Sequence, residues 1–189
     1  YDEIGNIESV TDKQGNETEY TYDRSSRMES VIFFGRTIEY EYDENGNRKS
    51  IDYDGEAEES YTYDKNNRLL ELVNRKAGGS EISGYSYAYD KAGRQTSKTD
   101  SYGKTTYTYD KAGRIQKVEA PGKTTLYTYD GAGNRISQDE TYTSEQTVPA
   151  VDGTGIGEIK YIVKRSEYVY GNTNRLLKLS EKMKNAEGT

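Results

Sequence analysis

The chain has 189 residues, 31% of them hydrophobic and 31% charged, with a formal net charge of −7 and neither His nor Cys. The missing types exclude disulfide frameworks, thiol nucleophiles, Ser-His-Asp triads and the usual zinc sites, and the acidic balance repels a nucleic-acid backbone. A mean hydropathy of −1.09 points toward disorder, but 20 residues are Tyr, whose apolar ring builds packed surface that hydropathy undercounts. No apolar run reaches the roughly 20 residues of a membrane span.

The dipeptide Tyr-Asp recurs from the start of the chain, at Tyr1-Asp2, Tyr22-Asp23, Tyr42-Asp43, Tyr63-Asp64, Tyr89-Asp90, Tyr109-Asp110 and Tyr129-Asp130, with a degenerate Tyr170-Gly171. Successive spacings are 21, 20, 21, 26, 20, 20 and 41 residues, and a fixed period of this size marks a repeat architecture. The chain opens inside a motif without an initiator Met and reads as a piece of something longer. Its first full unit, Glu17-Thr18-Glu19-Tyr20-Thr21-Tyr22, alternates so that Tyr20 and Tyr22 share one face of a strand. The same pairing follows as Tyr40 and Tyr42, Tyr61 and Tyr63, Tyr87 and Tyr89, Tyr107 and Tyr109, and Tyr127 and Tyr129. A helix would scatter these rings.

Each Asp opens a turn whose fourth position requires positive φ: Gly5, Gly46, Gly93, Gly113 and Gly133 supply it, Asn67 and Asn174 substitute, and Ser26 is the one poor fit. A second turn falls half a period later, at Asp12 to Gly15, Phe34-Gly35, Asp52 to Gly55, Asp100 to Gly103 and Pro121-Gly122. Strands of about five to six residues therefore alternate with turns in an antiparallel meander of hairpins. About 16 such strands would make a ribbon on the order of 75 Å wide, which sheet twist forces to curl. The 26-residue spacing holds a Gly-rich insertion near Asn74 to Ser83. The 41-residue spacing equals two periods, and residues 143–158, with Pro149, Gly153, Gly155 and Gly157, are expected to form an extended loop or a degenerate repeat. Residues 1–189 are expected to be one array of about eight repeats.

A basic residue follows each turn, at Arg27, Arg68, Arg94, Arg114 and Arg175, displaced by one at Arg48 and Arg135. There it can stack on a tyrosine or pair with a neighbouring Asp. Regular placement of the tyrosines in every unit favours a stacked aromatic ladder over a single sugar-binding face. Asp43-Glu44-Asn45-Gly46-Asn47 superficially matches a calcium loop but lacks the distal Glu and the flanking helices, so turn chemistry is expected. The acid pairs Glu58-Glu59 and Asp139-Glu140 sit on opposite faces of a strand and cannot share a substrate. No catalytic, cofactor-binding or metal-binding residue is therefore expected, and no enzymatic activity.

Residues Gly103-Lys104-Thr105-Thr106-Tyr107-Thr108-Tyr109-Asp110-Lys111-Ala112-Gly113-Arg114-Ile115 closely resemble the signature of the rearrangement-hotspot (Rhs), or Tyr-Asp-repeat, family. The pattern recurs from Glu41 to Arg48 and from Tyr127 to Arg135, and the resemblance covers about Tyr1 to Leu177 apart from 143–158. It implies large secreted or cell-surface proteins, including polymorphic toxins, insecticidal toxin-complex subunits, wall-associated proteins and teneurins. In these the repeats spiral into a hollow β-shell that, in toxins, encloses a C-terminal toxic domain. No Asp-Pro dipeptide is present, so the self-cleavage of such toxins does not carry over. Eight units are too few for a full vessel, and an arc, a single turn or a stacking fragment is expected. The implied role is a non-catalytic scaffold of an extracellular bacterial protein. Its partners would be flanking repeats, further copies joined through end strands, or an enclosed C-terminal cargo. The alternative is a carbohydrate- or cell-wall-binding repeat module whose partners are surface glycans.

Overall fold

The structure, a computed structural model, describes residues 1–145, 159–170 and 176–185. Among them there are fifteen strands and no helix. Eight begin in the unit Tyr1–Ala88: β1 (Ser9–Thr11), β2 (Glu17–Tyr22), β3 (Met28–Phe33), β4 (Arg36–Tyr42), β5 (Arg48–Tyr53), β6 (Ala57–Tyr63), β7 (Leu69–Lys76) and β8 (Glu81–Tyr89). Seven lie in the unit Tyr89–Thr189: β9 (Gln95–Asp100), β10 (Gly103–Tyr109), β11 (Ile115–Ala120), β12 (Lys123–Tyr129), β13 (Arg135–Glu145), β14 (Ile159–Tyr170) and β15 (Leu176–Asn185). From β1 to β8 each strand pairs antiparallel with the next. The same holds from β9 to β15. The all-β hairpin-repeat architecture expected from the sequence is the one observed.

Registry explains why so polar a chain forms these sheets. In four repeats the first tyrosine of a pair lies opposite an aliphatic residue on the next strand, Tyr20 opposite Val31, Tyr40 opposite Ile51, Tyr61 opposite Leu72 and Tyr107 opposite Val118, whereas Tyr127 faces Gln138. Aromatic and β-branched residues so placed support one another across the ladder. Ile51, at 4% exposure, and Val73, at 6%, are the buried apolar side chains among the described residues, and no side chain is fully enclosed. Cohesion is therefore spread along the sheet, since no layered core gathers it.

The main turns follow the expected chemistry. Asp110 accepts from the Gly113 N–H through its carbonyl and donates its own N–H to the Arg114 carbonyl, and Asp23, Asp43, Asp64, Asp90 and Asp130 repeat the arrangement. Ser26 does adopt the left-handed conformation, at φ 57°, as Asn67 does at 59°. A register shift precedes the second tyrosine in five of these hairpins, between Thr21 and Tyr22, Glu41 and Tyr42, Thr62 and Tyr63, Thr108 and Tyr109, and Thr128 and Tyr129. Such a bulge re-aims the side chain beside it.

Phe34 (φ 49°) precedes Gly35 (71°), and Asp54 (59°) precedes Gly55 (69°). Two consecutive positive φ angles define the mirror-image turn whose twist matches a hairpin. The Gly-rich insertion lengthens the hairpin of β7 and β8, which closes through a hydrogen bond from the Gly79 N–H to the Lys76 carbonyl. Strand β13 continues to Glu145, past the expected start of the loop at 143, and residues 146–158 lie outside the described residues. So do the degenerate turn at Gly171 and the Asn174 and Arg175 assigned to it.

On the face opposite the tyrosines, Glu39 pairs with Asp52 and Asp52 with Glu58, placing three carboxylates in a row across β4, β5 and β6. Directly opposed like charges oppose sheet formation. Glu39→Lys, which turns one repulsive pair into an attractive one, is expected to raise the urea midpoint by the equivalent of about 0.2–1 kcal/mol. High salt should narrow the difference, and a lower midpoint would show that the row is not repulsive.

Candidate functional site

The feature repeated most faithfully is a node built from the Asp of one turn, the cation that follows it and a tyrosine of the next repeat. In each turn one carboxylate oxygen collects backbone donors. Asp110 Oδ1 accepts from the N–H groups of Ala112 and Arg114, each at 2.9 Å. Asp90 does the same for Ala92 and Arg94, and Asp23 for Ser25 and Arg27. The other oxygen takes the Nε–H of the arginine, at 2.7 Å in the Arg27, Arg94 and Arg114 pairs and 2.6 Å from Arg68 to Asp64. These are charge-assisted bonds in a planar fork.

The guanidinium held in this way covers the second tyrosine of the following repeat. Arg27 lies 4.4 Å from the Tyr42 ring centre, Arg94 4.7 Å from Tyr109 and Arg114 4.4 Å from Tyr129. Each of those tyrosines in turn donates its hydroxyl to a backbone carbonyl just beyond the turn that holds the arginine. Tyr42 reaches Met28 (2.9 Å), Tyr109 reaches Gln95 (2.7 Å) and Tyr129 reaches Ile115 (2.7 Å). Tyr22 and Tyr63 make the same clasp to Ile7 and Arg48. The sequence left stacking on tyrosine and pairing with Asp as alternatives for the arginine. The structure shows both at once, so where ring contacts of the repeat are placed, the neighbour of a tyrosine is a guanidinium.

The displaced arginines follow a second rule. Asn47 and Asn134 replace arginine at the carboxylate, through amide bonds of 2.9 and 3.0 Å to Asp43 and Asp130. Arg48 then lies over Tyr40, while Arg135 lies over Tyr127 and Tyr168. A shift of one residue therefore moves the cation from the second tyrosine of a pair to the first. Gly46, Gly93, Gly113 and Gly133 sit at φ of 84°, 83°, 81° and 93° in these turns. Tyr20, Tyr87 and Tyr89 occupy the expected positions in β2 and β8.

Two acids read from the sequence only as members of adjacent pairs lie among the tyrosines. Glu59 accepts the hydroxyls of Tyr53 and Tyr61. Glu140, 8% exposed, is paired with Lys123 and accepts from Tyr142 and Gln138. The adjacent acids point elsewhere: Glu58 is exposed and Asp139 is paired with Arg165. This is the opposite-face arrangement expected for neighbours on a strand. Their only sequence signal is a carboxylate in phase with a tyrosine pair, as in Glu59-x-Tyr61 and Glu140-x-Tyr142. Among the described residues no group of acids could hold a metal ion.

Protonation follows from these contacts. The guanidinium bond holds the carboxyls of Asp23 and Asp64 below the usual range. The backbone N–H of the arginine does so first for Asp90 and Asp110, and the Asn amide for Asp43 and Asp130. Burial raises the phenols of Tyr109 and Tyr129. Burial and then Glu59 push Tyr61 up to about 12.

A carboxyl depressed in the fold contributes stability above its unfolded value that is lost as pH falls through the folded one; a phenol raised in the fold contributes below about pH 10 and loses it on rising toward 12. The urea midpoint is thus expected to be flat from about pH 5 to 9 and to fall on both sides. Asp110→Asn should shrink the acid limb and Tyr61→Phe the alkaline one, whereas a step near neutrality would contradict the assignment. Tyr129→Phe, which removes the clasp and leaves the ring, should cost about 0.5–1.5 kcal/mol in urea unfolding.

Comparison with known proteins agrees with the fold. A family profile described as the teneurin YD-shell matches residues 1–148. The crystal structure titled TcdB2-TccC3-TEV superposes with a TM-score of 0.53 at 18% identity, over 97% of this chain and 9% of that one. A Tc holotoxin pore from Photorhabdus luminescens gives 0.53 at 19% identity, over the same shares. This chain thus spans about a tenth of the chains it resembles. No curated protein matches it.

Proposed function

The chain belongs to the teneurin YD-shell family, and we propose that it is a non-catalytic length of β-shell wall, or of a surface fibre, in an extracellular bacterial protein. The observation that carries this reading is the repetition of one node. Asp, Arg and Tyr meet in the same way at Asp23, Asp90 and Asp110. A catalytic or ligand site needs a unique constellation in a cleft; here the same residues recur and are spent on one another. Flanking repeats continue such a wall, further copies join it through its end strands, and a cargo within a longer chain is what a shell of this kind would enclose.

Binding of surface glycans through the tyrosines is the weaker reading. A sugar would need a free ring face, and one face of Tyr42, Tyr109 and Tyr129 lies under a guanidinium.

Excision of one whole period, residues 91–110, tests the scaffold. Because repeat stability is nearly a sum of unit and neighbour terms, the shortened chain is expected to keep its β circular dichroism and to unfold with a proportionally smaller dependence on urea. Loss of ordered structure would show that the period is not an interchangeable unit. Retained glycan-array binding abolished by Tyr107→Ala, in a folded protein, would instead select the carbohydrate module.

A further inference from the structure

The two acids that meet tyrosines belong to equivalent places in two repeats, but only one of them is matched by a cation. Counted from the turn aspartate, Lys123 stands seven residues before Asp130, Thr125 five before it and Glu140 ten after it; Ala57, Glu59 and Asn74 hold those three places around Asp64. The ladders agree: Thr125 lies opposite Glu140 and Glu59 opposite Asn74, while Lys123 lies opposite Tyr142 and Ala57 opposite Lys76. Around Asp130 the Lys123 ammonium pairs with Glu140 and lies 5.1 Å from the Tyr142 ring centre. Around Asp64 the carboxylate is on the other strand of the pair, and an alanine stands in the place of the lysine.

The groups gathered at Glu59 are oxygens. Tyr53 donates to its Oε1 at 3.0 Å and Tyr61 to its Oε2. Both donors are neutral, so they satisfy hydrogen bonds and leave the charge unmatched. Opposite Glu59 in the ladder, Asn74 donates its amide N–H to Ser83 Oγ at 2.7 Å, and its carbonyl oxygen Oδ1 is buried without a partner. Directly opposed side chains of an antiparallel pair are close enough to interact, and two acceptors so placed repel unless a donor or a cation lies between them. Lys76, opposite Ala57, is exposed, and Arg48 lies over Tyr40. Residues 1–88 carry 20 acidic and 10 basic side chains, a net of −10, which concentrates small cations around them.

We propose that Glu59 and Asn74 Oδ1, with the hydroxyl oxygens of Tyr53 and Tyr61, form a binding site for a small monovalent cation of the sodium, potassium or ammonium type. The ion would tie β6 to β7 as the Lys123 ammonium ties β12 to β13. One carboxylate among neutral oxygens matches a single charge, and such oxygens are the ligands that replace water around alkali ions. Divalent ions are held by several carboxylates, and no group of three acids placed to do so occurs among the described residues. This site is independent of the scaffold role and stands or falls without it.

The urea midpoint of the full chain provides the test, measured in mixtures of N-methylglucamine chloride with sodium or potassium chloride at one ionic strength. N-methylglucamine is too bulky to enter. Sodium or potassium is expected to raise the midpoint, by an amount that grows with the logarithm of its concentration once the site fills. Glu59→Gln removes the charged ligand and should erase the difference between salts. Ala57→Lys supplies an ammonium of the chain's own and should also erase it, while raising the midpoint in N-methylglucamine alone. Asn74→Asp adds a second charge and should widen it. Circular dichroism establishes that each variant is folded. Equal midpoints in all three salts would mean that the Asn74 amide turns an N–H toward Glu59 instead, and would overturn the site. A difference that survives unchanged in folded Glu59→Gln would overturn it as well, since the ions would then act elsewhere.

Discussion

The sheet depends on one carboxylate per repeat. A chain with so few buried apolar side chains cannot rely on the area-proportional burial that holds most domains together. The turn aspartate replaces it with a set of directed contacts. One oxygen fixes the turn through two backbone N–H groups, and the other fixes the following side chain. Because that side chain then covers the tyrosine of the next hairpin, the local chemistry of a five-residue turn becomes a contact between repeats. The tyrosine hydroxyl returns the link by binding a carbonyl beside the turn it came from.

Much of this was legible before any coordinates. The period, the alternation before each Asp and the Asp-x-x-Gly turn all reflect local backbone geometry, which sequence spacing encodes directly. Even Ser26, the poorest residue for its place, was identified by position and adopts positive φ. What was not legible depends on registry. Whether Arg114 would meet a carboxylate or a ring could not be decided, because that depends on which side chains of the neighbouring hairpin the register brings beside it. Phe34 at positive φ was read only as part of a turn, since Gly35 alone announces one. Glu59 and Glu140 were read only as halves of adjacent acid pairs, because the cross-strand neighbours alone show that they meet tyrosines.

These enclosed acids bear on what the tyrosine face can be. An unpaired buried carboxylate is costly, and both are satisfied, Glu140 by Lys123, Tyr142 and Gln138 and Glu59 by two phenols. The face is thus polar, and its two acids are satisfied, although Asn74 Oδ1 and Arg135 Nε are buried without a partner. On the opposite face Glu39, Asp52 and Glu58 stand in line and Lys49 pairs with Glu41 only at the surface. Surface pairs of that kind add little stability.

The exchange of Arg for Asn after the turn gives the array an internal variation that composition does not reveal. Where arginine follows Gly or its substitute, as at Arg27, Arg94 and Arg114, the cation reaches forward to the second tyrosine of the next repeat. Where asparagine intervenes, as at Asn47 and Asn134, the carboxylate keeps its bonds but the cation covers a first tyrosine of a pair, and Arg135 covers two. Both arrangements keep the turn intact; they differ in which rings are joined and in whether the cation is also tied to a carboxylate. In an array whose units touch mainly their neighbours, stability is set by each such junction separately. Junctions built with a carboxylate-anchored arginine have the more restrained cation and should open last, so the order of opening along the sheet is fixed by the identity of one residue per turn.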